Sequence, residues 1–142
     1  MKQVFHTGGE KAEDYNNLIN GAKKAVDHGY TVYILPNPKG LRTGDYIFVR
    51  KNICKLFDLK TISGENSVGN RMKESIGQTN RVLLNMATTY EPRILAKEIK
   101  AYFEANPEAK EVLIFKGKRE ISVTKGMINS GFIQAFMRIF YK

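Results

Sequence analysis

Three side chains in this sequence have the types and spacing to do chemistry together: Asp45, Asp58 and Lys60. Asp58-Leu59-Lys60 closes the apolar run that begins at Ile53. Side chains alternate along a strand, so Asp58 and Lys60 share one face and Leu59 takes the other. A charged pair in an apolar strand costs desolvation unless something pairs with it. Asp45 opens the preceding run, Asp45–Val49, and the short Arg50-Lys51-Asn52 connection predicts a hairpin that can bring it to the same cluster. Two carboxylates and a lysine can hold a divalent cation and polarise a water for phosphodiester attack. The carboxylates bind the hard cation, and the lysine orients the nucleophile or meets charge developing on the phosphate. The spacing alone is more often that of a solvated ion pair beside a turn aspartate. Context raises the chemical reading, because Thr61, Ser63, Asn66, Ser67, Asn70 and Arg71, all able to donate to phosphate, follow at once.

The elements that must position these residues follow from periodicity. Leu18, Ile19, Ala22, Ala25 and Val26 recur at helical spacing over 14–26, with Gly29 as a C-cap. Tyr30–Leu35 is β-branched and aromatic, and Pro36 and Pro38 end it as a strand. Strands over 45–49 and 53–60 follow, then a polar loop over 61–67 and a helix over 68–79. Arg81–Met86 reads as a strand, and 92–105 as a helix with Pro92 in its first turn. Val112–Phe115 and Ile121–Val123 form a hairpin across Gly117, and 127–140 a final helix. Residues 1–13 read as a loose lead-in. The whole predicts one α+β (mixed α/β) domain over 1–142, with a single central sheet flanked by helices.

Composition sets the bounds. A chain of 142 residues lies within the span of about 100–200 residues usual for one domain. With 23 Lys and Arg against 14 Asp and Glu, the formal charge is +9, which favours a polyanionic partner. The single cysteine, Cys54, rules out an intramolecular disulfide framework and a multi-cysteine zinc site. It reads as a half-buried strand residue. The two histidines, His6 and His28, lie far apart, which argues against a His-rich metal site. His28 falls where a cation favours the helix dipole. The polar N-terminus lacks a signal-peptide core, and no apolar stretch approaches the roughly 20 residues of a membrane span. The expectation is a cytoplasmic protein, with delivery into a target-cell cytoplasm left open.

Several stretches together resemble a known family. Gly29-Tyr30-Thr31-Val32-Tyr33-Ile34-Leu35-Pro36, Gly44-Asp45-Tyr46, Phe57-Asp58-Leu59-Lys60, Asn66-Ser67-Val68 and Gln78-Thr79-Asn80-Arg81-Val82-Leu83-Leu84-Asn85 occur in that order. They resemble the C-terminal nuclease toxin domains of contact-dependent growth inhibition proteins and related domains of phage head proteins. These are grouped with ribonucleases of the barnase–EndoU–colicin–RelE type. Gly44 stands where that family has proline, Thr79 where it has a small residue after the glutamine, and the Arg50–Lys55 insert is longer and more basic. These departures bear on the geometry of the acidic cluster. The resemblance implies an RNA-cleaving toxin domain, with tRNA as the favoured substrate and an acidic immunity protein as partner. It implies a catalytic group of Asp45, Asp58 and Lys60, with Thr61 and Gln78 beside them. Asn66, Ser67 and Arg71 would contact substrate.

The mechanism divides at this point. A metal-dependent nuclease would hold Mg²⁺ on Asp45 and Asp58, in the manner of a restriction-endonuclease-like DNase. A metal-independent ribonuclease would use no cofactor, with Asp58 as candidate base and Lys60 meeting the phosphorane charge. Lys116, Lys118, Arg119, Lys125, Arg138 and Lys142 face only Glu120 over 113–142; Lys116, Lys118 and Arg119 are therefore candidate phosphate contacts. Arg42, Arg50, Lys51 and Lys55 form a second basic group. Phe132, Phe136 and Phe140 read as a core-facing stripe, and Tyr30, Tyr33 and Tyr46 as packed residues able in principle to stack on bases. The rival readings are a binding module with a structural ion pair, and an accessory phage component without catalytic duty.

Overall fold

Residues 53–62 of one long strand organise the molecule. In the computed structural model, which describes residues 4–6, 12–35, 44–62, 64, 68–73 and 80–141, this strand pairs with different partners at its two ends. In chain order the elements are β1 (Val4–His6), α1 (Ala12–Asp27), β2 (Thr31–Ile34), β3 (Tyr46–Arg50), β4 (Ile53–Ile62), α2 (Val68–Lys73), β5 (Arg81–Met86) and α3 (Pro92–Ala105). Then come β6 (Glu111–Lys116), β7 (Arg119–Thr124), a 3₁₀ turn (Lys125–Met127) and α4 (Phe132–Tyr141). The strands form one sheet in the order β1 to β7. β1 runs parallel to β2, and β4, β5 and β6 are parallel; β2–β3, β3–β4 and β6–β7 are antiparallel. The first half of β4, Ile53–Phe57, pairs with β3, and the second half, Asp58–Ile62, pairs with β5.

Local chemistry explains the connections. The β3–β4 hairpin turns on Lys51 and Asn52, both at positive φ (54° and 65°), as a two-residue turn matched to strand twist requires. Gly117, at φ 58°, does the same between β6 and β7. Gly29, at φ 94°, releases the chain from α1 into β2. Helix α3 starts on Glu91, whose carboxylate accepts from the Arg93 and Ile94 amides, with Pro92 next to it.

Two apolar cores sit on opposite faces. One lies under α1 and gathers Leu18, Ala22, Ala25, Val32, Ile34, Tyr46, Phe48, Phe57, Leu59, Leu83, Leu113 and Phe115. The other gathers Ile62, Val82, Leu84, Val112, Ile114, Ile121 and Val123 under α2, α3 and α4. Phe132, Phe136 and Phe140 are all buried in it, so the aromatic stripe of the last helix is a core face.

Three differences from the sequence reading have physical reasons. Val4–His6, placed in the lead-in, forms β1 by borrowing the free edge of β2. The segment 125–131 is a 3₁₀ turn and bend, and α4 begins only at Phe132, after the Asn129 side chain caps the Gly131 amide. Cys54 is exposed, not half-buried, because it points away from α1.

Candidate functional site

The point at which β4 changes partners is where the charged residues meet. Tyr46, the first residue of β3, pairs with Phe57, and Asp58 is the first residue of β4 to pair with β5. Beyond Tyr46 the ladder is carried on by Asp45. Its amide donates to the Phe57 carbonyl (2.8 Å), its carbonyl accepts from Leu35, and its Oδ2 accepts from the Leu59 amide at 2.7 Å. The register thus sets Asp45 opposite Asp58 on one face of the sheet. Lys60, two residues on, shares that face, and its Nζ lies 3.3 Å from Asp58 Oδ2. Asp58 is 3% and Lys60 8% exposed.

The electrostatics follow from that burial. The Asp45 carboxyl is pushed up from 3.8 to about 7, first by burial, then by a hydrogen bond and repulsion from Asp58. The Leu59 amide and the Lys60 ammonium pull the other way and do not win. Two carboxylates facing each other in a largely buried cluster cannot both ionise cheaply, so Asp45 keeps its proton to a higher pH than a free carboxyl.

Not every expected residue joins this group. Thr61 pairs with Asn85, and strand alternation turns it to the opposite face from Asp58 and Lys60. There its buried hydroxyl has no hydrogen-bond partner among the described residues. Asn85, 1% exposed, accepts from Lys24 Nζ (2.6 Å) and donates to Asn20 (3.0 Å), both on α1. Arg71 lies in α2, whose first amides are anchored by Tyr90, ahead of α3, and by α3 itself: Val68 donates to the Tyr90 hydroxyl, and Gly69 donates to Glu98 at 2.6 Å. Asn66, Ser67 and Gln78 lie outside the described residues.

The basic residues of the last hairpin serve α4. Lys116 Nζ sits 3.7 Å over the Phe140 ring, and the Arg119 guanidinium donates to the Ile139 and Phe140 carbonyls. Those carbonyls end the helix without partners of their own. Lys118 borders a cleft with Lys24, Asp27, His28 and Gly117. The second basic group is dispersed: Arg50 pairs with Glu120 (2.9 Å) and lies over Tyr30, and Lys55 pairs with Glu111 (3.0 Å). Arg42 is outside the described residues. His28 stacks on Phe115, 3.7 Å from Glu120.

Sequence reasoning missed Tyr102 and the Asn85–Lys24 pair. Tyr102, on the buried face of α3, is near enough to Asp58 that its negative charge adds to burial in raising the phenol, and it accepts from Asn106 (3.5 Å). The signal was a tyrosine on an otherwise apolar stripe, whose hydroxyl needs a partner when buried.

As a donor set, Asp45 and Asp58 suit a hard cation in kind. Among the described residues, no group of three or more His, Cys, Asp or Glu side chains could hold a metal ion. Were a magnesium ion held here, Asp45 and Asp58 would be the residues to hold it, and it would supply a polarised phosphate and an activated water.

Neither a protein-family model nor a curated protein sequence matches the chain. Its fold is similar to that of a chain in the CdiA-CT/CdiI toxin and immunity complex from Burkholderia pseudomallei, with a TM-score of 0.50 at 16% identity. The match covers 84% of this chain and 98% of that one. At that identity the likeness is one of fold. No helix among the described residues is long and apolar enough to cross a membrane.

Proposed function

We propose that this chain is a ribonuclease toxin domain that cleaves RNA by attack of the 2′-hydroxyl on the adjacent phosphate. The observation that carries the reading is the meeting of Asp45, Asp58 and Lys60 at the seam where β4 changes partners, with the Asp45 carboxyl raised to about 7. The ionised member of the pair takes the 2′-hydroxyl proton. The 2′-oxygen forms its bond to phosphorus, the bond to the 5′-oxygen breaks, and the protonated member returns a proton to that oxygen. The products are a 2′,3′-cyclic phosphate and a 5′-hydroxyl. Lys60 meets the charge that builds on the non-bridging oxygens. Such acid–base transfer contributes typically 10²–10⁴-fold in rate. A net charge of +9 supports a polyanionic substrate, with tRNA the first to try, and an acidic immunity protein as the neutralising partner. Action in a target-cell cytoplasm belongs to the same reading.

The alternative is metal-dependent cleavage. Asp45 and Asp58 would hold Mg²⁺, which would supply a polarised phosphate and an activated water. The two differ in product. End analysis of cleaved tRNA separates them: a cyclic phosphate on the 3′ side supports transesterification, whereas a 5′-phosphate product contradicts it.

A further inference from the structure

The face that carries Asp45, Asp58 and Lys60 continues along β2, β3 and β4 away from the seam. Its rows are fixed by register: Tyr33–Ile47–Leu56, and beyond it Thr31–Val49–Cys54. Neither apolar core takes in these residues. Helix α1 packs on the other face of this half-sheet, and the core under α2, α3 and α4 is built on the β5–β7 half. Tyr33 is 41% and Leu56 38% exposed, and Cys54 is exposed. Tyr30 and Tyr46 instead pack with the core under α1. The Tyr30 hydroxyl donates to Glu120, and the Tyr46 hydroxyl donates to the Leu18 carbonyl at 2.7 Å.

We propose that the face of this half-sheet opposite α1 seats the unpaired RNA strand flanking the bond to be cut, with Tyr33 as the platform on which a base stacks. The proposal deepens the ribonuclease reading and rests on it. Continuity with the site is the first argument. Neighbouring strands are about 4.8 Å apart and successive same-face residues about 6.8 Å along a strand, which sets the Tyr33 backbone on the order of 12 Å from that of Asp58. That is within reach of the nucleotides flanking a phosphate held at Lys60. Charge is the second argument: the seat adjoins Lys60 at one end and Lys51, in the β3–β4 turn, at the other, in a chain of net charge +9. Chemistry is the third. An exposed aromatic ring on a flat apolar surface suits a splayed base. A duplex keeps its bases stacked inside and offers none, so the occupant is single-stranded.

Cys54 makes the seat directly testable. It is the single cysteine of the chain and lies in the outer row. Its alkylation rate is measured with an uncleavable 2′-O-methyl oligoribonucleotide at saturation, judged by fluorescence anisotropy, and with the same strand annealed into a duplex. The single strand is expected to slow alkylation at least about threefold and the duplex far less. Tyr33→Ala should weaken single-strand binding roughly five- to a hundredfold, the span of base–aromatic stacking, and Tyr33→Phe should keep it within about twofold. Leu56→Glu, which sets a carboxylate against the phosphates, should weaken it as well. An unchanged alkylation rate at saturation, or equal affinities for wild type and Tyr33→Ala, overturns the proposal. So does protection of Cys54 that grows with protein concentration without RNA, which would give the face to a second copy. Because the strand cannot be cut, a chain that binds it here and never cleaves RNA refutes the catalytic reading and leaves the seat standing.

Discussion

Replacing Asp45 with asparagine should make the protein more stable at neutral pH while abolishing cleavage. The Asp45 carboxyl titrates near 7 in the fold, against 3.8 for the free group. Between those values the native state holds a proton that the unfolded chain has lost. Stability therefore falls as pH rises through that window, and the favourable contribution is intact below about pH 4 and gone above about pH 7. At 1.36 kcal/mol per unit, the span is on the order of 4 kcal/mol, as an upper limit for a half-buried group coupled to its neighbour. Asparagine removes the titration and keeps the contacts: its amide oxygen still accepts from the Leu59 amide, and its NH₂ donates to Asp58 as the protonated acid does. Urea denaturation of both proteins, followed by circular dichroism from pH 4 to 8, measures the difference. The two should be equally stable near pH 4, and Asp45→Asn should gain steadily up to about pH 7 and then level off. A difference that does not vary with pH, or a variant less stable than wild type at pH 8, refutes the reasoning.

The same pair fixes the pH dependence of catalysis. Its singly protonated form is the active one, so kcat/KM should fall as pH rises through about 7, approaching tenfold per unit; a rate that climbs through 7 would contradict the acid role and favour metal-held carboxylates. Lys60→Met should cost about 3–5 kcal/mol, because it leaves the nearly inaccessible Asp58 charge without its partner. Adding Asp58→Asn should restore most of that stability in thermal denaturation, with neither variant cleaving RNA. Arg119→Ala should lower stability by about 1–2 kcal/mol through loss of the α4 carbonyl contacts, with tRNA cleavage unchanged. Gly21→Ala should be destabilising by about 1–3 kcal/mol, because its Cβ would stand 2.6 Å from the Tyr46 hydroxyl.

Much of the fold was legible because the strands and helices carry unmixed periods. Tyr46–Val49 is an unbroken β-branched and aromatic run, Phe57–Lys60 alternates, and Ile99, Tyr102 and Phe103 mark one face of a helix. β1 was not legible, since Val4–His6 is too short to carry a period and gains its structure only from the β2 edge. The meeting of Asp45, Asp58 and Lys60 could be read from the hairpin and the strand period alone. What could not be read was that Asp45 carries on the β3 ladder with its own side chain, because that depends on where β4 changes partner. The contacts of Arg119 and Lys116 could not be read either: the carbonyl end of α4 and the Phe140 ring that they meet come from a helix about twenty residues away in sequence. Thr61 is adjacent to Lys60 in sequence, and the strand period puts it on the other face.

The measurement closest to the central claim is incubation of tRNA with the purified chain in EDTA, beside Lys60→Ala and the Asp58→Asn/Lys60→Met pair that keeps the fold. The account predicts discrete cleavage by the wild type that survives EDTA and is absent from both variants, each first verified as folded by circular dichroism. Full cleavage by either variant, or no cleavage of tRNA, ribosomal RNA or DNA by the wild type with or without Mg²⁺, would contradict it and leave Asp45, Asp58 and Lys60 as a structural ion cluster.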